Sequence, residues 1–258
     1  MTADPTLLAA AGVLGLLVGS FLNVCIHRLP RDQSVIAPPS HCPSCGRTLR
    51  WFHNVPVISW LVLGRRCAYC RTAINWRYPL VELLTAALFV LHAWWFGPSA
   101  LLAVRLAFAA ALVVLFLTDL DCRILPNEIT VGGLVAGLVA AWFLPPGIRS
   151  ALIGAALGGG ILWATGALYE RVRGVEGMGM GDVKMLAMVG AVLGWPLMLL
   201  TLVFASFTGG LFGMALIAMR KDARTTAVPF GTFLAVGALV ASLFGDGILS
   251  WYLGLYAV

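Results

Sequence analysis

Charged residues are scarce in this chain: Asp, Glu, Lys and Arg make up 11% of its 258 residues, against roughly a quarter of a soluble domain. Apolar residues make up 60%, and nothing in the sequence suggests two soluble domains. These proportions exclude a soluble globular protein and leave a polytopic membrane protein. Several catalytic devices are missing as well. The four histidines, His27, His41, His53 and His92, supply no His-Glu-x-x-His helix, which removes an intramembrane zinc protease. There is no Gly-x-Ser-x-Gly elbow, no Walker loop and no glycine-rich Rossmann turn. Low-complexity segments and sustained internal repeats are also absent.

What is present begins with eight apolar runs, at 7–26, 80–96, 100–118, 129–144, 150–169, 183–193, 197–219 and 228–244. A membrane crossing takes about 20 residues, so the expected fold is all-α with about eight transmembrane helices. The run at 183–193 is short and directly follows glycines, as expected of a helix that starts below the membrane surface or tilts into a cavity. The first run follows Met1-Thr2-Ala3-Asp4-Pro5-Thr6 and is itself followed by Arg28 and Arg31, so it reads as a retained helix and not a signal peptide. Lys and Arg collect on the cytoplasmic side of membrane proteins. Segments 28–78, 119–128, 170–184 and 220–224 hold 15 of the 17, the alternate loops hold only Arg149, and Arg105 lies within a span. Both termini are therefore expected outside the cytoplasmic membrane, with the 28–78 segment and the loops that share its sign inside. The net charge of +6 is read as this topology, with the lipid bilayer as partner and no nucleic acid. Small residues four apart, Gly133/Gly137, Gly154/Gly158 and Gly209/Gly213, fit close helix packing. Asn23 and His27, also four apart, either bond to a neighbouring helix or reach water.

Between 29 and 78 the composition shifts to Arg, Pro, Cys and Trp. Cys42-Pro43-Ser44-Cys45 and Cys67-Ala68-Tyr69-Cys70 stand 21 residues apart, a spacing that suits two knuckles presenting four thiolates to one zinc ion. The competing reading is a pair of disulfides, which a reducing compartment disfavours. Arg47, Arg50, Arg65, Arg66 and Arg71 are placed to offset the thiolate charge, and a domain this small needs such a staple. Trp51, Phe52, Trp60 and Trp76 are expected to form its core and its seat on the headgroup layer. The organisation expected is a first transmembrane helix at 1–28, a cytoplasmic zinc-ribbon-like tetracysteine domain at 29–78, and a seven-helix membrane core at 79–258.

Two acids stand at the ends of apolar runs, where a carboxylate within the bilayer costs roughly 2.5–3.5 kcal/mol. Asp182 lies in Gly177-Met178-Gly179-Met180-Gly181-Asp182-Val183-Lys184. Its alternating glycines leave the backbone free to take positive φ and open to another extended chain. Asp119 lies two residues before Asp121, and at most one of these two is expected to meet Asp182. Two aspartates within a few ångströms share one proton. One then activates a water while the other hydrogen-bonds the attacked carbonyl oxygen, as in aspartic proteases. The alternatives are two interfacial helix caps or, in another class, a transporter whose acids bind a cation. The transporter requires acids deep within spans and an inverted repeat, and the sequence has neither. Lys184 either stabilises a neighbouring carboxylate or snorkels to the surface.

These segments, with Gly19-Ser20-Phe21-Leu22-Asn23-Val24, Asn54-Val55-Pro56-Val57-Ile58-Ser59-Trp60, Arg77-Tyr78-Pro79-Leu80-Val81-Glu82 and the stretch 119–126, resemble the bacterial type IV prepilin peptidases over nearly the whole chain. Those enzymes are the leader peptidases and N-methyltransferases of type IV pilus and type II secretion systems. The resemblance implies that Asp119 and Asp182 are the dyad of a GxGD-type membrane aspartic protease of family A24. Gly179, Gly181 and Lys184 would then belong to the loop that meets substrate, and Cys42, Cys45, Cys67 and Cys70 to a structural zinc site. It further implies cleavage of the basic leader of prepilins or pseudopilins on the cytoplasmic side, after a glycine and before a hydrophobic residue, often Phe. Methylation of the new amino terminus with S-adenosylmethionine would follow. One departure bears on that second step: the family usually has glycine two residues before the third cysteine, a position implicated in methyl transfer, and here it is Arg65, preceded by Gly64. A family member limited to proteolysis is therefore the alternative. Asn127 replaces an aspartate that many relatives carry. Glu82 is a candidate for the methyl-donor site or a partner for Arg77. No oligomeric state is indicated.

Overall fold

In a bilayer a helix satisfies its own backbone N–H and C=O groups, so apolar runs of this length are driven to be helical. Among the residues described by the computed structural model, 4–175, 177–218 and 229–255, the elements are α1 (Pro5–Arg28), α2 (Ile58–Val62), α3 (Arg77–Phe96), α4 (Ala100–Cys122), α5 (Asn127–Ala140), α6 (Ile148–Arg173), α7 (Met180–Leu193), α8 (Trp195–Ala218) and α9 (Phe230–Gly254). Two short 3-10 turns and two isolated antiparallel bridges complete them, with no strand among the described residues. The expected loop at 220–224 and the run ends Met219 and Val228 lie outside the described residues. Six helices, α1, α3, α4, α6, α8 and α9, are long and apolar enough to cross a membrane, so the chain is a multi-pass helical membrane protein. The other two apolar runs form α5 and α7, each of 14 residues. At 1.5 Å per residue that is about 21 Å, short of a hydrocarbon core of about 30 Å.

Helices outrun the apolar stretches that signalled them, because hydropathy marks where a segment is apolar and not where its backbone bonds stop. α4 continues past residue 118 to Cys122, and α7 begins at Met180. Asp119 therefore sits in the last turn of one helix and Asp182 in the first turn of another, where the sequence suggested loops.

The chain forms two compact units, Met1–Val114 and Leu115–Val258, and α4 runs from one into the other. The boundaries at 28 and 78 are changes of polarity; packing is organised otherwise, since α1 lies along α3 from either side of the insertion. In the first unit a Cβ at Gly15 would stand 2.5 Å from Ala86 Cα, and one at Gly19 2.7 Å from Glu82 Cα, so α1 and α3 touch backbone to backbone. Asn23 supplies the interhelical bond: its Nδ2 donates to the Tyr78 carbonyl at 3.2 Å. His27 is engaged within its own segment, its carbonyl accepting from Arg31. Ala11, Phe89, Ala93 and Leu102 form the buried apolar cluster of this unit.

In the second unit α7 is the central element. Met185, Leu186 and the whole of 188–193 are buried, because α5, α6, α8 and α9 all pack on it. Gly133 and Gly137 let α5 close on Met188 and Val192, and Gly154 and Gly158 let α6 lie on the Gly190 and Leu186 carbonyls. The third pair behaves differently. Among the described residues Gly213 has nothing within 4 Å and Gly209 makes only ordinary contact with Phe233; a spacing of four marks a helix face without guaranteeing that the face has a partner.

A Cβ at Gly190 would come within 2.1 Å of the Gly154 carbonyl oxygen. Gly190→Val is expected to destabilise the fold by at least about 1–3 kcal/mol, read as a lowered thermal midpoint in detergent. Gly213→Ala, facing open space, should leave the midpoint unchanged within about 0.5 kcal/mol.

Candidate active site

A carboxylate near the C-terminus of a helix faces unpaired carbonyls and is disfavoured by its own helix. Asp119 is in that position in α4, and it is 5% exposed. Its partner is another helix. Thr232, the third residue of α9, donates its backbone N–H to Asp119 Oδ2 at 2.6 Å and its hydroxyl to the same oxygen at 3.0 Å. Asp119 thus caps α9 from a distance, satisfying an orphan donor at the positive end of that helix. Gly231 makes the approach possible, since a Cβ there would stand 3.0 Å from Asp119 Cγ.

Asp182 lies in the first turn of α7, and its backbone N–H donates to the N-cap carbonyl of Gly179 at 3.1 Å. An acid in this position is favoured by its own helix. Asp119 and Asp182 are brought to one place by a residue that both helix starts touch. Leu125, in the link from α4 to α5, sets the separation. A Cβ at Gly181 would stand 3.1 Å from Leu125 Cβ, and one at Gly231 would stand 3.0 Å from Leu125 Cδ1. The second residues of α7 and α9 are therefore both glycines seated on one leucine, which draws the starts of these two helices to the end of α4.

The glycines before Asp182 act through size. Gly179, at φ −69°, and Gly181, inside α7, do not use the positive φ open to them. Instead, a Cβ at Gly177 would strike the Tyr169 ring at 2.4 Å, so part of what lies against this segment is the chain itself. Lys184 donates to Asn127 Oδ1 at 2.8 Å, tying the second turn of α7 to the first residue of α5. Of the two acids in α4, Asp119 is buried and Asp121 exposed, so only the former is turned inward. Sequence reasoning missed Thr232, Gly231 and Leu125. Pro229-Phe230-Gly231-Thr232 ahead of an apolar run is a legible helix start, but which acid it faces is a tertiary fact.

In the cysteine domain, one backbone pattern occurs twice, offset by 25 residues. Cys42 N–H bonds the Arg47 carbonyl and Cys67 N–H that of Thr72; Gly46 N–H bonds Cys42 and Arg71 N–H bonds Cys67; Leu49 N–H bonds Ser40 and Ile74 N–H bonds Arg65. The bridges His41 to Thr48 and Arg66 to Ala73 repeat likewise. These two knuckles bring the four Sγ atoms within 4.8 Å of one another, with Cys42 and Cys70 3.8 Å apart and none in a disulfide. Four sulfurs about 2.3 Å from a tetrahedral centre would be about 3.8 Å apart, so the cluster fits a metal ion. The Thr72 hydroxyl and backbone N–H hold the Cys70 thiol down at about 6, while the Cys45 thiol of the same cluster is pushed up to about 11.

Arg65 has φ 62°, next to Gly64 at 60°. It thus keeps a left-handed conformation that glycine adopts most easily. Trp60 is half-buried, its Nε1 donating to the Ile74 carbonyl, whereas Trp51, Phe52 and Trp76 are exposed. The expected aromatic core is therefore reduced to Trp60, because the paired knuckles, held by backbone bonds, organise the domain instead. Glu82, in α3, accepts the Val57 N–H at 2.8 Å.

Fold and sites together define a polytopic helical membrane protein with two carboxylates at converging helix ends and a separate four-cysteine cluster. The model of the bacterial peptidase A24 N-terminal domain matches residues 13–96, and that of the type IV leader peptidase family matches residues 106–214. Prepilin leader peptidase/N-methyltransferases of Pseudomonas aeruginosa, Pseudomonas putida and Aeromonas salmonicida are 38%, 40% and 37% identical to the chain. The alignments cover 93%, 92% and 93% of this chain and 91%, 91% and 92% of the relatives. The chain belongs to the prepilin leader peptidase/N-methyltransferase family. No solved structure matches it.

Gly46 and Arg71 occupy the same place in the two knuckles, at φ 69° and 61°. A non-glycine residue in this region costs roughly 1–2 kcal/mol. Arg71→Gly should raise the thermal midpoint and Gly46→Ala lower it, each by about 1 kcal/mol, measured on the full chain under reducing conditions.

Proposed function

We propose that this chain is a membrane aspartic endopeptidase of the inner membrane that removes the short basic leader from prepilins and pseudopilins, then N-methylates the new amino terminus with S-adenosylmethionine. The observation that carries the peptidase reading is the convergence of Asp119 and Asp182 at the end of α4 and the starts of α7 and α9, where Leu125 meets both Gly181 and Gly231. Two carboxylates so placed titrate as a pair and hold one proton between them at working pH. The deprotonated member takes a proton from water as it attacks the peptide carbonyl. The protonated member hydrogen-bonds the carbonyl oxygen and then returns a proton to the departing amine. Thr232, with two donors on Asp119 Oδ2, fixes that carboxylate as the reaction proceeds. The excess of Lys and Arg favours a cytoplasmic site, with both termini outside. A cation transporter is less well supported, because both acids lie at helix ends and not deep in spans.

Methyl transfer is supported by the names of the relatives and by the backbone at Arg65, which keeps the left-handed turn. Glu82, whose Oε2 is taken by Val57 N–H, is read as scaffold. Zinc is the ion we assign to Cys42, Cys45, Cys67 and Cys70; when bound it cross-links the two knuckles and takes no part in hydrolysis.

Asp119→Asn and Asp182→Asn should each lower prepilin cleavage by at least about 10²-fold in preparations that keep their size and metal content. Full cleavage by either variant would sink the dyad. Supplying labelled S-adenosylmethionine should yield cleaved, labelled pilin, and unlabelled mature pilin would leave a peptidase alone. Metal analysis should find about one zinc per chain, lost in Cys42→Ser and in Cys67→Ser; metal-free reduced protein would refute the assignment.

A further inference from the structure

The short helix α2 (Ile58–Val62) carries three apolar side chains that no described residue covers: Ile58, Leu61 and Val62 are 61%, 62% and 79% exposed. Its position is fixed by the turn before it. Val57 has φ 59° and ψ −48°, and the Ile58 N–H closes a three-residue turn on the Pro56 carbonyl. That conformation is rare for a β-branched residue and persists only where the surroundings impose it. The visible constraint is Glu82, whose Oε2 accepts the Val57 N–H at 2.8 Å. Glu82 lies five residues into α3 from Arg77, about 7.5 Å along the helix axis. Arg77, with Trp76 and Tyr78 both exposed beside it, marks the headgroup level. The polar layer on each side of a bilayer is about 5–7 Å thick. The turn at Val57 is therefore tethered at the inner edge of that layer, and α2 starts one residue later.

Charge identifies the headgroups that suit this surface. Segment 29–78 contains seven arginines and one acid, Asp32. Even with a metal tetrathiolate of charge near −2 its balance is about +4. Such a surface repels a basic leader and attracts acidic lipid. We propose that α2 is an interfacial helix whose Ile58, Leu61 and Val62 lie at the headgroup–acyl boundary of the membrane that α1 and α3 cross, with Arg65 and Arg66 against acidic phospholipid headgroups. The tether at Glu82 thereby holds the cysteine domain down on the membrane. This assignment does not depend on the peptidase reading.

The test uses the full chain in nanodiscs of phosphatidylcholine with a minority of phosphatidylglycerol, carrying benzoylphenylalanine in place of Leu61, an exposed residue whose replacement leaves the core intact. On irradiation the expected product is the chain plus one phospholipid mass, with phosphatidylglycerol enriched roughly fivefold over its share of the bilayer. The enrichment should disappear in Arg65→Gln/Arg66→Gln. Adducts confined to protein, or no adduct, would overturn the interfacial placement. Lipid adducts in which phosphatidylglycerol matches its share would overturn the acidic headgroup assignment. Prepilin cleavage assayed on the same samples reports on the dyad separately.

Discussion

The bond from Thr232 to Asp119 holds the second unit in its working form. It joins residues 113 apart in sequence, links the wrong end of one helix for an acid to the right end of another, and places a buried carboxylate where it has two donors. Hydrogen bonds to a charged group contribute about 1.5–3 kcal/mol each. Losing them would leave Asp119 buried beside the carbonyls of α4 and α9 without its cap. Two separate needs are met by the same atoms: α9 needs an acceptor for its first turn, and a reactive carboxylate needs a fixed orientation.

Close packing then decides what the carboxylate meets. Lipid is as apolar as a leucine side chain, so helices in a membrane gain little by hiding apolar surface and depend on close contact. Glycines supply it here in two ways. Gly154 and Gly190 allow α6 and α7 to cross at backbone distance, which seats α7 in the middle of its unit. Gly181 and Gly231 allow Leu125 to act as a common stop for α7 and α9. Filling either of the second pair would move an acid or its donor, whereas filling Gly213 would move nothing, although all are glycines on apolar helices.

Much of this was legible in the sequence because its signals are local. Run length and hydropathy located the spans, the cysteine spacing located the knuckles, and the cost of a carboxylate in an apolar run singled out Asp119 and Asp182. The less legible part is tertiary. Thr232 has no feature that ties it to an acid in α4, and the exposure of Trp51 and Trp76 depends on knuckles organised by backbone bonds, where composition suggested an aromatic core. The glycine motif admits both conformational freedom and close approach; the neighbours Tyr169 and Leu125 show the second in use, which residue type alone does not decide.

Four of the eleven acids follow a common rule. Asp4 accepts from the Thr6 N–H at the start of α1, Asp119 from the Thr232 N–H at the start of α9, and Glu82 from the Val57 N–H just before α2, while Asp182 lies in the first turn of α7. Pairing a buried acid with a buried base would desolvate two charges for one interaction. The donors at a helix start already lack partners, so an acid placed there removes a deficit while incurring only its own desolvation. In a chain with so few charges this is the less costly way to keep a carboxylate inside. Of the groups that bear on Asp119, Arg123 is a cation just past the end of α4 and the donors from α9 are neutral, so no buried base claims the proton that two acids would share.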